Sequence, residues 1–479
     1  GYMGHAGYTY KRIIHQMYLT MEGIWGIPLG VSACNIFLFL LFGSFVNCTG
    51  IGQFYIDLAT ALFGQSKGGP AKVGVVASGL MGSVSGSAVA NAAAVGSVTI
   101  PLMKKMGYKA EMAGAVEAAA STGGQIMPPI MGAGAFVMAE FLAVPFSTVM
   151  IAAIIPALVY YIALYFSVHF EACRIGLEGS SVNRWKAVKP LLRRLYLLSP
   201  VFALFILLIV FRWTAMRTAI AGIVLCIIIA IIDKEATFTL KTAIDACLDA
   251  ARNAVTVISS CAMAGLVVGV INLTGLGLKL TDLIIALGGD NLFLVLFMVM
   301  ITCMIMGMGL PTTPAYIIVA VLGAPLLIKM GVVPIAAHMF VFYFGILSMI
   351  TPPVALAVYT ACGIAGSEFW ETGLLTVRIA LPVFLMPYMF VYQPVLLAQG
   401  AWYYVLFSAI TAVIGSGTLA AGTTGWLLRK TSIIERIILF ISAVLMIEAN
   451  LTLTIIGLIG LLGVYIYQRR GMKREAINL

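Results

Sequence analysis

Gly82-Ser-Val-Ser-Gly-Ser-Ala-Val-Ala-Asn91 and Gly124-Gln-Ile-Met-Pro-Pro-Ile-Met-Gly132 interrupt sequence that is otherwise apolar enough to lie in lipid. A second pair follows about 225 residues later, Gly307-Met-Gly-Leu-Pro-Thr-Thr-Pro314 and Ser348-Met-Ile-Thr-Pro-Pro-Val354. Non-helical backbone at membrane depth persists only where protein, water, an ion or a ligand satisfies the freed N–H and C=O groups. These four stretches decide how the rest of the chain is read.

The surroundings force a membrane setting. The chain of 479 residues is 62% hydrophobic and 10% charged, with mean hydropathy +1.07; soluble domains carry about a quarter charged residues. At roughly 20 apolar residues per crossing the chain supplies about ten or more spans. Barrel strands alternate polar and apolar residues, whereas these runs are apolar all round, so an all-α polytopic membrane protein is expected. The net charge of +10 is clustered. Arg174, Arg184, Lys186, Lys189, Arg193 and Arg194 stand against Glu171 and Glu178, and the C-terminus carries Arg469, Arg470, Lys473 and Arg474 against Glu475. Basic loops beside spans mark the cytoplasmic side. No soluble module accompanies them, so nucleic-acid binding is not expected. The eight cysteines lack paired spacing and suggest neither a disulfide frame nor a metal site. The chain opens Gly1-Tyr-Met-Gly-His without a secretory signal, as a processed, cut or later portion of a longer polypeptide would.

Working outward, residues 8–23 read as an interfacial amphipathic helix, followed by a span over 27–46 and an apolar stretch over 54–63. Residues 73–103, broken by the serine-glycine stretch, suit a hairpin that enters and leaves from one side. Runs at 110–122 and 126–142 flank the double proline, and a long span over 147–168 closes this half. Two linking spans (195–211 and 216–232) follow the basic loop. Lys241, Asp245, Asp249 and Arg252 then place charge on one face of a second amphipathic helix, ahead of a span over 255–273. Segments at 402–428, 433–447 and 451–467 form a tail, the last two a pair that returns Arg470 to the side of Arg429 and Lys430. The expected units are 1–170, 171–235, 236–397 and 398–479.

The plan repeats. Asn47, Thr49, Gly50, Gly52, Asp57, Leu58, Ala61, Leu62 and Gly64 match Asn272, Thr274, Gly275, Gly277, Asp282, Leu283, Ala286, Leu287 and Gly289 at an offset of 225. Gly82 matches Gly307 at the same offset, the double prolines match at 224, and Ala139-Glu-Phe resembles Ser367-Glu-Phe at 228. Two structural repeats are expected, and inversion is the commoner transporter solution. Interrupted segments at corresponding places in two halves point to a solute site at the bilayer midplane.

Each motif also has a plainer reading. Gly86 and Ala90 alone would be a small-xxx-small packing pair, yet Ser83, Ser85, Ser87 and Asn91 are dense for an interface. Half-helix N-termini suit carboxylates and freed carbonyls suit a sodium ion, so Na+ is expected at the hairpin tips. Pro128-Pro129 and Pro352-Pro353 are either kinks or unwound helices facing the tips; their pairing favours the second. Thr312, Thr313 and Thr351, with Gly309, would then serve the second side, and Gln125 the first. Glu117, in the alanine-rich run 113–120, is a proton-carrier candidate unless it is aqueous or interfacial. Glu140 and Glu368 read as structural, and His338 as a hydrogen-bonded core histidine. Without a phosphate-binding loop, metal-ligand spacing or catalytic triad, neither an ATPase nor another enzyme is expected. An ion gradient must drive movement, or movement is passive.

Gly82–Asn91, Ile100-Pro-Leu-Met-Lys-Lys105, Val116-Glu-Ala-Ala-Ala-Ser-Thr-Gly-Gly-Gln-Ile-Met-Pro-Pro129, Gly307-Met-Gly-Leu-Pro-Thr-Thr313 and Phe342-Tyr-Phe-Gly-Ile-Leu-Ser-Met-Ile-Thr-Pro-Pro-Val354 resemble the large membrane subunit of tripartite ATP-independent periplasmic (TRAP) transporters. The fused-permease type that works with TAXI-class binding proteins looks nearest, over about residues 8 to 395. The resemblance implies inverted repeats, an elevator-type transport domain carried past a scaffold, and the bacterial inner membrane. It also implies gradient-driven uptake, by Na+ or H+ with no other cofactor, of a small organic acid such as a dicarboxylate, keto- or hydroxy-acid. A periplasmic binding protein would deliver it. Fused permeases carry a four-helix domain ahead of this region; here that domain is missing, so truncation or a separate small subunit is implied. The rival expectations are a passive anion channel and an ion-coupled carrier that needs no binding protein.

Overall fold

Where glycine, serine and proline interrupt the apolar runs, the helices stop. The computed structural model describes residues 4, 7–177, 184–233, 238–289, 291–447 and 451–477. The N-terminal residues that bear on processing, and Glu178 in the basic loop, lie outside the described residues. Helix is the only regular element among those described, apart from one isolated bridge, Trp426 with Lys430. Eight helices among them are long and apolar enough to cross a membrane, and the protein is an all-α polytopic membrane protein.

Eight helices, Thr312–Lys329 being one of those long enough to cross, surround the interrupted stretches. α1 (Gly69–Ser85) and α2 (Ala88–Lys105) form a hairpin whose tip is Gly86-Ser87. α3 (Ala110–Gly123) and α4 (Gly134–Phe141) are two parts of one broken helix. In the second half α5 (Leu292–Gly307) and α6 (Thr312–Lys329) form the other hairpin. α7 (Pro334–Leu347) and α8 (Leu356–Ala365) form the other broken helix. Each turn follows from its residues. Gly86 sits at φ +61°, and Ser87 caps α2 by accepting from the Ala90 N–H at 3.3 Å. Both double prolines contain a cis peptide bond, Pro128-Pro129 and Pro352-Pro353.

α3 and α7 are buried on every face, as a helix must be when packed all round. α3 achieves this with Ala, Gly and Ser, so α1 and α2 both close on it. α7 does so with aromatics: Phe340, Phe342, Phe344 and Tyr343 are among the largest fully buried side chains. The segments beyond the breaks are exchanged: α8 packs on α2 and α3, and α4 packs on α6. Lys104 Nζ at the end of α2 donates to Ala365 O at the end of α8 (2.7 Å), a cation on a helix C-terminus. At the opposite end of α3–α4, Phe141 lies 6.3 Å from both Tyr316 and His338, centroid to centroid.

Long helices brace this centre. Phe146–Arg174 crosses beside α1 and α3, and its buried Glu171 accepts from Arg174 and from Arg378 of Phe369–Phe384, the latter at 2.7 Å. The N-terminal helix Tyr10–Tyr18 is capped by Thr9. The chain then turns through Gly23, whose backbone crowds Gly265 and Gly269 of Leu240–Thr274. That last helix corrects the expectation of a separate amphipathic arm and span: it runs unbroken for 35 residues. No Gly or Pro stands between Leu240 and Ala264, whereas Gly23, Gly26 and Pro28 break the corresponding N-terminal stretch. In the tail, Trp402–Thr424 packs on Phe146–Arg174, and Ile433–Ile447 pairs with Leu451–Ile477. Gln468 accepts from the Leu428 and Arg429 N–H groups, so the pair does return to Arg429 as expected.

Candidate functional site

Each hairpin abuts a helix break, backbone against backbone in the first half and backbone against side chain in the second. A Cβ at Gly82 would stand 2.3 Å from Gly124 Cα, and one at Gly86 2.3 Å from Met131 O. Only glycine permits this approach. Ile130 N–H donates to Ser83 O (3.2 Å), tying the break at 124–133 to the tip, and Gly132 N–H donates to Gln125 O (2.6 Å). In the second half a Cβ at Gly307 would meet Ser348 Oγ at 2.6 Å, and one at Gly309 would touch Val354 at 3.5 Å. The first break, including Pro128 and Pro129, is buried save for half-buried Met127 and Ala133; the second is open at Pro353 and Val354, as is its tip at Gly309 and Pro311.

One pair of expected residues meets across the halves. Thr312 Oγ1 at the start of α6 donates to Gln125 Oε1 in the first break (2.7 Å), and Gln125 Nε2 and Thr312 Oγ1 both reach Met349 Sδ, at 3.4 and 3.2 Å. Thr313 is buried beside Thr312. Thr351 donates to its own Leu347 O, and Ser83 to Leu80 O. Asn91 is fully buried; its Nδ2 donates to Ser78 O (2.9 Å) while no donor reaches its Oδ1. Ser85 Oγ, also buried, has no partner either. Buried acceptors in native proteins are nearly always satisfied, which sets these two oxygens of the first hairpin apart.

Glu117 is 0% exposed, which overturns the aqueous or interfacial alternative. It is held between the two arms of the first hairpin. Oε1 accepts from Ser78 of α1 (2.6 Å) and Ser121 of α3 (2.9 Å), and Oε2 accepts from Thr99 of α2 (2.5 Å). Gly74 and Gly96 leave it room. Ser78 therefore links Glu117, through its hydroxyl, to Asn91, through its carbonyl. Sequence reasoning missed Ser78, Thr99, Ser348 and Met349; of the Glu117 partners only Ser121, four residues on along the helix, was visible from spacing. His338 is hydrogen-bonded to Tyr316 Oη through Nδ1 (2.8 Å). Glu368 caps Phe369–Phe384, and Glu140 is exposed.

Tyr160 and Tyr161 are further unforeseen participants. Near the first break the backbone tightens, Gly124 N–H donating to Ser121 O rather than to Ala120 O. Tyr161 Oη supplies Ala120 O instead (2.9 Å), and Tyr160 Oη donates to Ala119 O (2.7 Å). Gly79 and Gly123 clear the space for the two rings.

Two helical hairpins abutting two broken helices, among eight helices long and apolar enough to cross a membrane, define the class: a multi-pass helical membrane protein. Residues 2–405 match the family described as "Tripartite ATP-independent periplasmic transporter, DctM component", and the chain belongs to that family. It is 28% identical over 345 residues to the 2,3-diketo-L-gulonate TRAP transporter large permease protein of Escherichia coli, covering 69% of this chain and 77% of that one. It is 25% identical over 355 residues to the C4-dicarboxylate TRAP transporter large permease protein of Pseudomonas aeruginosa (72% and 79%). Similarity to the isethionate TRAP transporter permease protein of Oleidesulfovibrio alaskensis is 22% over 355 residues, covering 72% of this chain and 53% of the relative. The family places the chain in the inner membrane as a secondary-transport permease for organic acids, not an enzyme, acting with a periplasmic substrate-binding protein.

Proposed function

We propose that this chain carries a small organic acid, of the dicarboxylate, keto- or hydroxy-acid type, into the cell by an elevator movement driven by a Na+ or H+ gradient. The observation that carries the proposal is the seating of each hairpin tip on a helix break, Gly82 on Gly124 and Gly307 on Ser348. Four interruptions thereby converge where an anion at helix N-termini and a cation at freed oxygens complete the missing contacts. Ser85, Asn91 and the carbonyls around Gly86 are assigned to Na+; Gln125, Thr312 and Thr313 to the acid, flanked by Pro128, Pro129, Ser83, Ser87, Gly309, Thr351, Pro352 and Pro353.

Opposite entry of the two hairpins, and so inverted repeats over 1–170 and 236–397, is supported by two contacts. The base of α2 meets the end of α8 at Lys104, while the start of α7 meets the end of α4 at His338 and Phe141. The α1–α8 set would be the moving body, and the long helices with 171–235 and 398–479 the scaffold. Glu117 is the proton candidate. Thr99 has one hydroxyl hydrogen and two acceptors, Val95 O (3.0 Å) and Glu117 Oε2. A protonated Glu117 donating to Thr99 frees that hydrogen for Val95 O. The docking partner is assigned to the TAXI class, with a small four-helix subunit or fused domain completing the permease.

Uptake of labelled acids into proteoliposomes tests this, with purified binding proteins and imposed Na+ or H+ gradients. Accumulation is expected only when binding protein and one gradient are both present. Uptake indifferent to both gradients would make the chain a passive anion channel, and gradient-driven uptake without any partner would remove the binding protein.

A further inference from the structure

On the outer side of the first hairpin lies a cavity of about 370 Å³ between α1 and Phe146–Arg174. No polar atom of its wall is open to it, although Tyr161 and Tyr165 contribute their rings. Val76, Leu80 and Phe166 line it further, and it is open along one side where Leu158 is 48% exposed. Its wall includes Met127, the residue before the double proline. A wholly apolar cavity stays free of water, so at a bilayer depth only hydrocarbon suits it.

One end of the cavity is cationic. Lys72, on α1 one turn before the lining residues, is itself buried, with Nζ 4.9 Å from the centroid of the Tyr165 ring. Exposed Lys67 precedes it, and both lysines lie within electrostatic range of His169, one turn beyond Tyr165. The nearby Glu171 is already engaged by Arg174 and Arg378. Lys104, Lys105, Lys109 and Arg174 stand at helix ends on this same side, since Gly68 and Tyr108 both lie against Ala172 or its neighbours. By charge asymmetry that end faces the cytoplasm. Basic pockets between helices on that side suit anionic lipid headgroups.

We propose that this cavity is a binding site for one anionic phospholipid of the cytoplasmic leaflet, its headgroup at exposed Lys67, with the buried charge of Lys72 behind it, and one acyl chain along Tyr165, Val76 and Leu80 as far as Met127. The chain end would then press on the break that carries Gln125, linking bilayer composition to the candidate site. The inference does not depend on which solute is carried, because it is read from lipid binding alone.

The full chain is reconstituted in nanodiscs containing phosphatidylglycerol with a photoreactive group near the end of one acyl chain, and labelled peptides are mapped by mass spectrometry. Labelling is expected on peptides containing Val76, Met127 and Leu158, displaced by unlabelled phosphatidylglycerol but not by phosphatidylcholine. Leu158→Trp, filling the cavity from its lipid-exposed side, should abolish it. Lys67→Gln should lower the preference for phosphatidylglycerol about fivefold, the ratio one lysine near a charged bilayer supplies, and Lys72→Gln further, with Lys72→Arg preserving it. Equal labelling by a phosphatidylcholine probe, labelling that persists in Leu158→Trp, or protection of the cavity by a partner subunit's helix would each overturn the proposal.

Discussion

Ser85 Oγ and Asn91 Oδ1 differ in what their removal costs the fold. Ser85 makes no side-chain hydrogen bond among the described residues, so Ser85→Ala is expected to leave thermal unfolding within about 0.5 kcal/mol of the parent. If Ser85 serves a coupling cation, the ion concentration for half-maximal uptake rises about tenfold, the effect of one lost contact of about 1.4 kcal/mol. An unchanged ion requirement removes Ser85 from the site. Glu117 separates along another axis. Glu117→Gln keeps a group able to accept from Ser78 and Ser121 and to donate to Thr99, so the hairpin stays closed while the pH dependence of uptake flattens between pH 5 and 8. Glu117→Ala strands the Ser78 and Ser121 hydroxyls, while Thr99 keeps Val95 O, at about 1–3 kcal/mol for each left unsatisfied, and should lower the unfolding temperature as well. Parent-like pH dependence in Glu117→Gln would clear Glu117 of proton transfer.

At the scale of elements, the hairpins depend on absent side chains. Gly82→Ala puts a Cβ 2.3 Å from the Gly124 backbone, which cannot yield as a flexible side chain would. Overpacking of this kind costs about 1–3 kcal/mol, and uptake should fall while membrane insertion, followed by protease accessibility, stays intact. Tyr161→Phe leaves Ala120 O without its donor; a loss of about 1–3 kcal/mol in thermal unfolding is expected, and an unshifted transition would mean the helix re-bonds by itself. The breaks were legible in the sequence because Gly86, Ser87 and the double prolines act locally, and so was the helix pairing in the tail. The exchange of α4 and α8 between hairpins was not, since nothing within either segment encodes a partner some 180 to 260 residues distant. Glu117 lay in an alanine-rich run whose composition suits a buried or an interfacial helix equally. Its burial follows from Gly74 and Gly96 on two other helices. The continuous Leu240–Thr274 helix escaped notice because charge periodicity marks a face but not an end.

Across the whole molecule, the Gln125–Thr312 hydrogen bond is the one polar side-chain link between the first break and the second hairpin described here. A double-mutant cycle with Gln125→Ala and Thr312→Val, read by thermal unfolding, should return a coupling of about 0.5–1.5 kcal/mol. A coupling of zero would mean that the two halves meet there by shape alone. If substrate binds between them, the same cycle read by substrate affinity gives a larger value.

The Lys104–Ala365 contact also sets a timetable for biogenesis. The two residues are 261 positions apart, so at about 5–20 residues per second a ribosome needs roughly 13 to 50 seconds to deliver the carbonyl after the lysine. Throughout that interval the newborn first hairpin has neither its lysine partner nor α8 beside it. The first hairpin therefore completes its packing only after the second half of the polypeptide has been made.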